Sequence, residues 1–277
     1  MAAATQQKDQ GVRVYQHGAH ILVAQLCRPR TRNAFDEGVY AQLIDAIEAY
    51  EADAALHALV ITGHGDFFTS GMDVMSTIHT MNPRGPDAEL PSKGIAPRFM
   101  HTMLRCRKLI VAAVNGRAIG IGVTLLMHCD IVFAADSAKF WTPFMRIGIV
   151  PEFASSYTFP TILGPMVAND LLLRSKEIGI ERAVACGLVS EVFPAGPGFL
   201  QRVFDEIEPL VAEPVAAKTL SLFKSVIRRV REPLVREALV AEYVELDRRF
   251  LSGETYAAAS KTIAELAAKK QSKKSKI

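Results

Sequence analysis

Three short segments hold residue types from which acid–base chemistry on a carbonyl compound can be assembled. They are Phe68-Thr69-Ser70-Gly71-Met72-Asp73, Gly120-Ile121-Gly122-Val123-Thr124 and Pro151-Glu152-Phe153-Ala154-Ser155-Ser156. The first two are glycine-bearing turns able to present backbone N–H groups, because glycine lets the backbone approach a ligand closely. The third offers one carboxylate, Glu152, in an otherwise apolar stretch. Two N–H donors and one base are what making and unmaking an enolate requires. Preorganised donors take up the charge that appears on the carbonyl oxygen, and losing one costs about 3–4 kcal/mol. Ser70 precedes a glycine, and Ile121 sits between Gly120 and Gly122 at an expected helix start, where the dipole adds positive potential.

Each segment taken alone has a second reading. Gly120 and Gly122 suit close helix–strand packing, and Gly63 and Gly65 suit a turn. Glu152 also fits a surface carboxylate beside a helix that Ser155 or Ser156 would cap. An apolar neighbourhood raises a carboxylate pKa and makes it a candidate base. Both glycine motifs in this order, with a strand between them, favour the functional reading. Other candidates are weaker. His64 lies in a glycine turn and reads as a solvated loop residue. In His128-Cys129-Asp130 adjacent residues do not face one another on a helix. Cys129 then belongs to the core and Asp130 to the turn that follows. The glycines at 116, 120 and 122 do not have dinucleotide-fingerprint spacing.

The elements that must position these residues are legible as periodicities. Residues 12–15 and 21–26 read as a strand pair around Gly18. Phe35, Val39, Leu43 and Ile47, widened by Tyr40 and Ile44, make an amphipathic helix. Residues 58–62, 109–114 and 131–135 are apolar enough for buried strands. Residues 82–97 are rich in Pro and Gly and read as a loop over a site, with helix resuming over 98–106. The segment 122–129 is apolar all round and belongs inside the core. From Ser155 onward the pattern is mostly helical, with Pro214 and Pro233 marking late helix starts. Strand, helix and strand in alternation describe an α/β protein.

Composition narrows the classes. The chain has 277 residues, 49% of them hydrophobic, enough for a sizeable core. The net charge of +3 is smaller than the five lysines of residues 269–276, so the remainder is slightly acidic and nucleic-acid binding is not indicated. Cys27, Cys106, Cys129 and Cys186 have no close metal-ligand spacing. The polar start of the chain suggests no secretory leader, and an intracellular reducing compartment is the expectation. No apolar run is long enough to span a bilayer.

These motifs resemble the crotonase (enoyl-CoA hydratase/isomerase) superfamily, most closely its peroxisomal 3,2-trans-enoyl-CoA isomerases. The match covers residues 12–250 and is sharpest over 151–160, where Pro-Glu-x-x-Ser-Ser-Tyr-x-Phe-Pro carries the isomerase pattern. The resemblance implies an α/β crotonase-like spiral of β-β-α repeats over residues 11–200. A C-terminal helical trimerisation region over 201–268 follows. A disordered tail, 1–10, precedes the spiral and a basic tail, 269–277, ends the chain. It implies Glu152 as the proton-shuttling base and the backbone N–H groups of Ser70 and Ile121 as the oxyanion hole. Coenzyme A would lie beside Arg28, Arg30 and Arg32, with Arg32 favoured over three solvated arginines. Thr69, Gly71, Met72, Asp73, Gly120, Gly122 and Phe144 would contact substrate, though Asp73 also fits a helix cap.

No metal or redox cofactor is implied, since coenzyme A is part of the substrate. The two glutamates with which related hydratases add water correspond here to Thr124 and Phe144. Neither is a base, and Phe144 with Trp141 would dry the pocket, which favours returning the proton to carbon. The implied reaction is 3-enoyl-CoA to trans-2-enoyl-CoA in fatty-acid β-oxidation. The alternatives are a hydratase, a dienoyl-CoA isomerase or a thioester hydrolase on the same fold, or a non-catalytic acyl-CoA-binding module. Ser275-Lys276-Ile277 resembles the peroxisomal tripeptide read by an import receptor. Expected partners are acyl-CoA, that receptor and further copies of the chain as a trimer or hexamer. The expected setting is the matrix of the peroxisome or a related organelle such as the glycosome, with the cytoplasm as alternative.

Overall fold

The computed structural model describes residues 10–85, 88–213 and 215–274. In chain order its elements are β1 (Gly11–His17), β2 (Ile21–Cys27), α1 (Glu37–Ala52), β3 (Ala58–Gly63), β4 (Phe67–Thr69), α2 (Val74–Thr77), α3 (Ile95–Arg105), β5 (Leu109–Val114), β6 (Arg117–Ile119), α4 (Ile121–Thr124), β7 (Ile131–Ala135), β8 (Lys139–Trp141), α5 (Phe144–Ile147), α6 (Ser155–Thr158), α7 (Pro165–Leu172), β9 (Ile178–Gly179), α8 (Ile180–Ala185), β10 (Glu191–Phe193), α9 (Phe199–Ala212), α10 (Ala216–Arg228), α11 (Arg231–Ser252) and α12 (Glu254–Lys274).

The long strands read as continuous apolar runs because both faces of their sheet are covered. Successive side chains alternate between two cores. Leu59, Ile61, Ile110, Ala112, Val132 and Ala134 enter the larger core with α1 and α3. Ala58, Val60, Val111, Ala113, Phe133 and Ala135 enter the smaller one, against Phe199, Val203 and Ile207 of α9. The sheet order is β1-β2-β3-β5-β7-β10, with β2 through β10 parallel.

Each central strand is followed by a short strand that turns into a second sheet, β4-β6-β8-β9. Repetition of long strand, short strand and helix produces the expected spiral of β-β-α turns, with helices α9 to α12 after it. Strands of two or three residues are too short to leave a periodicity, so β4, β6, β8 and β9 have no signal in the sequence. Both β9 and β10 lie within the region expected to be mostly helical. Helix α3 begins at Ile95 rather than near Arg98, because Pro97 falls in its first turn, where its missing N–H is tolerated. The core segment 122–129 is α4 followed by a 3-10 turn, Leu125–His128, all of it buried.

The C-terminal helices are joined to the spiral by polar anchors. Lys224 of α10, 8% exposed, places Nζ 2.8 Å from Asp130, and Arg228 reaches the same carboxylate at 2.6 Å. The opposite side of α10 leaves Leu222, Phe223, Val226 and Ile227 exposed, with Val230 beyond its end. Helix α12 folds back onto α5: Thr255 Oγ1 donates to the Gly148 carbonyl and Thr262 Oγ1 to that of Arg146. Pro233 lies in the first turn of α11, as expected. Pro214, the tail 1–9 and the tripeptide 275–277 lie outside the described residues, while α12 runs past residue 268 through Lys274.

Lys224→Met would leave Asp130 with Arg228 and the Ile110 N–H as partners. The expected loss is about 2–3 kcal/mol, below the roughly 3–5 kcal/mol of a buried pair broken outright. Urea unfolding of the two proteins measures it, and coincident curves would mean that the pair contributes no net stability.

Candidate active site

The register of the small sheet brings the two glycine turns together. Strands β4 and β6 pair in parallel with Thr69 opposite Ala118, so residues 70–72 and 119–121 continue side by side. Gly71 adopts φ +82°, and a Cβ there would lie 2.8 Å from the Ile119 carbonyl oxygen and 3.7 Å from Gly120 Cα. Only glycine fits that approach and that backbone region. Gly120, φ +57°, then precedes α4 and directs the Ile121 N–H out of the first turn. A Cβ on Gly122 would meet Thr69 Cγ2 at 2.2 Å, so this residue is needed for packing.

The N–H expected on the first turn is not the one left free. Ser70 N–H donates to the Arg32 carbonyl at 2.9 Å, and its hydroxyl to the Thr31 carbonyl at 2.8 Å. Gly71 N–H goes to Thr69 Oγ1, which itself donates to the Asn33 carbonyl. One residue on, the parallel bridge of Phe35 to Met72 uses the Gly71 carbonyl and the Asp73 N–H. Neither the Met72 N–H nor the Ile121 N–H has a partner among the described residues. The donors available on the abutting turns are therefore Met72 and Ile121. Ser70 is corrected from donor to support, because its N–H is already consumed in holding the turn.

The arginines divide in the same way. Arg28 is internal, 2.9 Å from Asp36 and 3.4 Å from Asp73. Asp73 caps α2 through Ser76 N–H at 3.3 Å, so its carboxylate serves the structure. Arg32 is exposed, in the left-handed region, with its guanidinium 5.0 Å from the Phe67 ring and its carbonyl on Ser70. It stands beside the first glycine turn, and Arg30 is exposed as well.

Glu152 enters from the far side of an aromatic cluster. Phe35 meets Tyr40 edge-on at 5.2 Å, Phe99 lies 6.1 Å from Phe35, and Phe153 lies 6.1 Å from Phe99. The cluster thus runs from the bridge at Met72 to the residue after Glu152. The Glu152 carboxyl is pushed up to about 8, first by burial and then by the neighbouring Glu242 carboxylate. Tyr40 and Tyr243 sense its charge and are themselves raised, mainly by burial. Phe144, buried beside Gly120 with its ring 3.9 Å from the position of a Cβ there, and Thr124, fully buried, place no carboxylate in this region.

The turn that carries Glu152 is strained. Phe153 and Ala154 have φ +56° and +57°, a conformation that costs non-glycine residues of order 1–3 kcal/mol each. Neighbouring groups hold it. His128 Nε2 lies 2.7 Å from the Phe153 carbonyl, and its ring stacks on Phe153 at 4.1 Å. Burial pushes this histidine down to about 3. It is therefore neutral, and since a carbonyl only accepts, Nε2 carries the proton. Glu242 accepts from Ala154 N–H at 2.7 Å and Ser156 N–H at 2.9 Å. Glu242 is not legible as a site residue in the sequence because it lies on α11, far along the chain. Its signal is that it shares the buried stripe of Val235, Leu239 and Phe250.

A separate cleft of about 450 Å³, bordered by Asp66, Asn115, Arg117 and Ser137, contains none of these residues. Among the described residues no three His, Cys, Asp or Glu side chains gather to hold a metal ion, and no helix is long and apolar enough to cross a membrane.

Comparison with known proteins identifies the family. The sequence profile described as enoyl-CoA hydratase/isomerase matches residues 16–257. Enoyl-CoA delta isomerase 2 of Homo sapiens is 35% identical over 228 residues, covering 82% of this chain and 57% of the relative. Enoyl-CoA delta isomerase 3, peroxisomal, of Mus musculus is 35% identical over 212 residues, covering 76% and 62% respectively. The chain thus spans about three-fifths of the length of these curated relatives. A crystal structure of an enoyl-CoA hydratase/isomerase from Pseudoalteromonas atlantica T6c superposes with a TM-score of 0.82 at 31% identity, covering 92% of this chain and 97% of that one. A profile match over most of the chain and relatives at this identity place it in one family: the chain belongs to the enoyl-CoA hydratase/isomerase (crotonase) family.

Proposed function

We propose that this chain is an enzyme that converts 3-enoyl-CoA to trans-2-enoyl-CoA, with Glu152 as the only base. The observation that carries the reading is a carboxylate of raised pKa at the end of an aromatic cluster whose other end holds the free N–H groups of Met72 and Ile121. Ionised Glu152 takes a proton from C2. The electron pair of that C–H bond forms C1=C2 as the carbonyl π pair moves onto oxygen, and the dienolate oxygen accepts from the Met72 and Ile121 N–H groups. The protonated Glu152 then delivers its proton to C4: the carbonyl re-forms, the C1=C2 pair becomes C2=C3, and the C3=C4 pair makes the new C4–H bond. The C–H bond broken and the C–H bond formed balance, and the carboxylate is regenerated. Arg32, and the glycine turn it adjoins, are the proposed contacts for the coenzyme A portion, with Phe144 on the acyl side.

Water addition requires a second carboxylate on the pocket. Thr124 and Phe144 supply none, and both oxygens of Glu242 are engaged by backbone N–H groups. A base with a pKa near working pH suits general catalysis. It must be ionised to act, so kcat/KM should fall as pH drops below about 8. Glu152→Gln is expected to lower kcat by about 10³-fold or more with little change in KM. The assay is conversion of 3-hexenoyl-CoA to its conjugated isomer, with hydration product measured in the same samples. Near-wild-type turnover by the variant would remove Glu152 as the base; hydration in place of isomerisation would move the activity to a hydratase.

A homotrimer, or a hexamer of two, is proposed from the apolar stripe of α10, which nothing among the described residues covers. Light scattering should give a mass of three or six chains, and a single-chain mass would refute it. A peroxisomal setting is proposed from the name of the mouse relative and from Ser275-Lys276-Ile277. A fluorescent protein fused ahead of residue 1 should coincide with a peroxisomal marker and disperse when those three residues are removed. An unchanged distribution would exclude the tripeptide as the address.

A further inference from the structure

Among the buried ionisable groups that the reaction does not use, Glu242 is the one whose charge bears on Glu152. It is 6% exposed, has no cationic partner among the described residues, and spends both carboxylate oxygens on the backbone that follows Glu152. A buried carboxylate without a cation is expensive unless N–H donors satisfy it. Two donors from one strained turn meet that need, and in exchange the turn is bracketed. Ala154, whose N–H is one of the two, is itself in the left-handed region, and so is Phe153. Without the bracket the extended or right-handed conformations of these residues become accessible, and the Glu152 side chain swings with them.

We propose that Glu242 is the positioning residue for Glu152: its carboxylate clamps the Ala154 and Ser156 N–H groups and so holds the left-handed turn that presents the base. This rests on the isomerase reading above. The clamp has an electrostatic side. The groups that face the pair are Tyr40 from α1, Tyr243 from α11 itself and His128 from the 3-10 turn beneath Phe153. Tyr157, near Arg231, and His101 of α3, whose ring lies 6.3 Å from that of Tyr243, complete the surroundings. His128 is neutral, and Tyr40 and Tyr243 are protonated. Glu242, itself pushed up to about 7 mainly by burial, is the group whose ionised form makes Glu152 harder to ionise.

The test compares the full-length wild type with Glu242→Gln and Glu242→Asp. Glutamine keeps one acceptor and loses the charge; aspartate keeps the charge and loses reach. Glu242→Gln is expected to lower kcat by about 10- to 100-fold, as a small misplacement does, with KM little changed. Its acid limb in kcat/KM should move to lower pH, because removal of the neighbouring negative charge lets Glu152 ionise earlier. Glu242→Asp is expected to lower kcat with the limb where wild type has it. A role confined to stability would lower the melting temperature of both and leave the limb unmoved, overturning the proposal. If Glu242→Gln does not fold, a wild-type kcat in Glu242→Asp overturns it and a lowered one with unchanged KM supports it.

The reading is separated from the reaction by pH-difference infrared spectra of the substrate-free proteins. Glu152→Gln identifies the Glu152 carboxyl band. A Glu152 titration that moves to lower pH in Glu242→Gln supports the pairing even if wild type turns over no 3-enoyl-CoA, an outcome that would sink the isomerase reading alone. An unmoved titration overturns the pairing whatever the activity.

Discussion

The close approach of Gly71 to the Ile119 carbonyl is the contact on which the rest of the site depends. It is backbone against backbone, and a single methyl group would part the two turns. Parallel pairing of β4 with β6 sets it up, and the long strands β3 and β5, paired with each other in the larger sheet, fix the spacing of the short ones. The β-β-α repeat therefore makes a chemical site by stacking. Successive turns of the spiral bring equivalent chain reversals together at one edge, each with an N–H group that has no partner among the described residues. Glycine is required by geometry at Gly71 and by packing at Gly122.

A second constraint acts on Glu152. Burial raises the Glu152 carboxyl, and a like charge from Glu242 raises it further, while no lysine or arginine is paired with it among the described residues. Such a carboxylate is costly to ionise and correspondingly basic when ionised. The turn that carries it is held in an unfavourable backbone region by groups remote in sequence, His128 and Glu242. Strain stored in Phe153 and Ala154 is thus balanced by hydrogen bonds donated by the 3-10 turn beneath and accepted by α11 beside it. The C-terminal helices thus hold the turn of the candidate site as well as forming the exposed apolar face.

Family membership leaves the reaction open, because the donors are backbone groups that any residue supplies. What differs between a double-bond shift and water addition is the count of usable carboxylates and the wetness of the pocket. Here Thr124 and Phe144 are buried and uncharged, and the additional carboxylate found, Glu242, is turned to the backbone.

Much of this was legible along the chain. The buried strands 58–63, 109–114 and 131–135 declare themselves because both faces are covered and nearly every residue is apolar. The lone Glu152, the two glycine motifs and the cap at Asp73 are local signals, and each lies where its type requires. The short strands of the second sheet left no periodicity, so the pairing that brings Gly71 to Gly120 was invisible. The same cause misassigned the donor. Ser70 and Met72 flank one glycine, and only the position of the Arg32 carbonyl, supplied by a turn before α1, decides which N–H is consumed. Glu242 was unreadable because its partners lie 88 and 86 positions away. The sequence by itself determined the long strands, the main helices and the glycine positions, and singled out Glu152 as the candidate base, since these follow from local sterics and burial. Tertiary structure alone decided which N–H groups stay free and which charge faces the base, because both depend on contacts between segments remote in the chain.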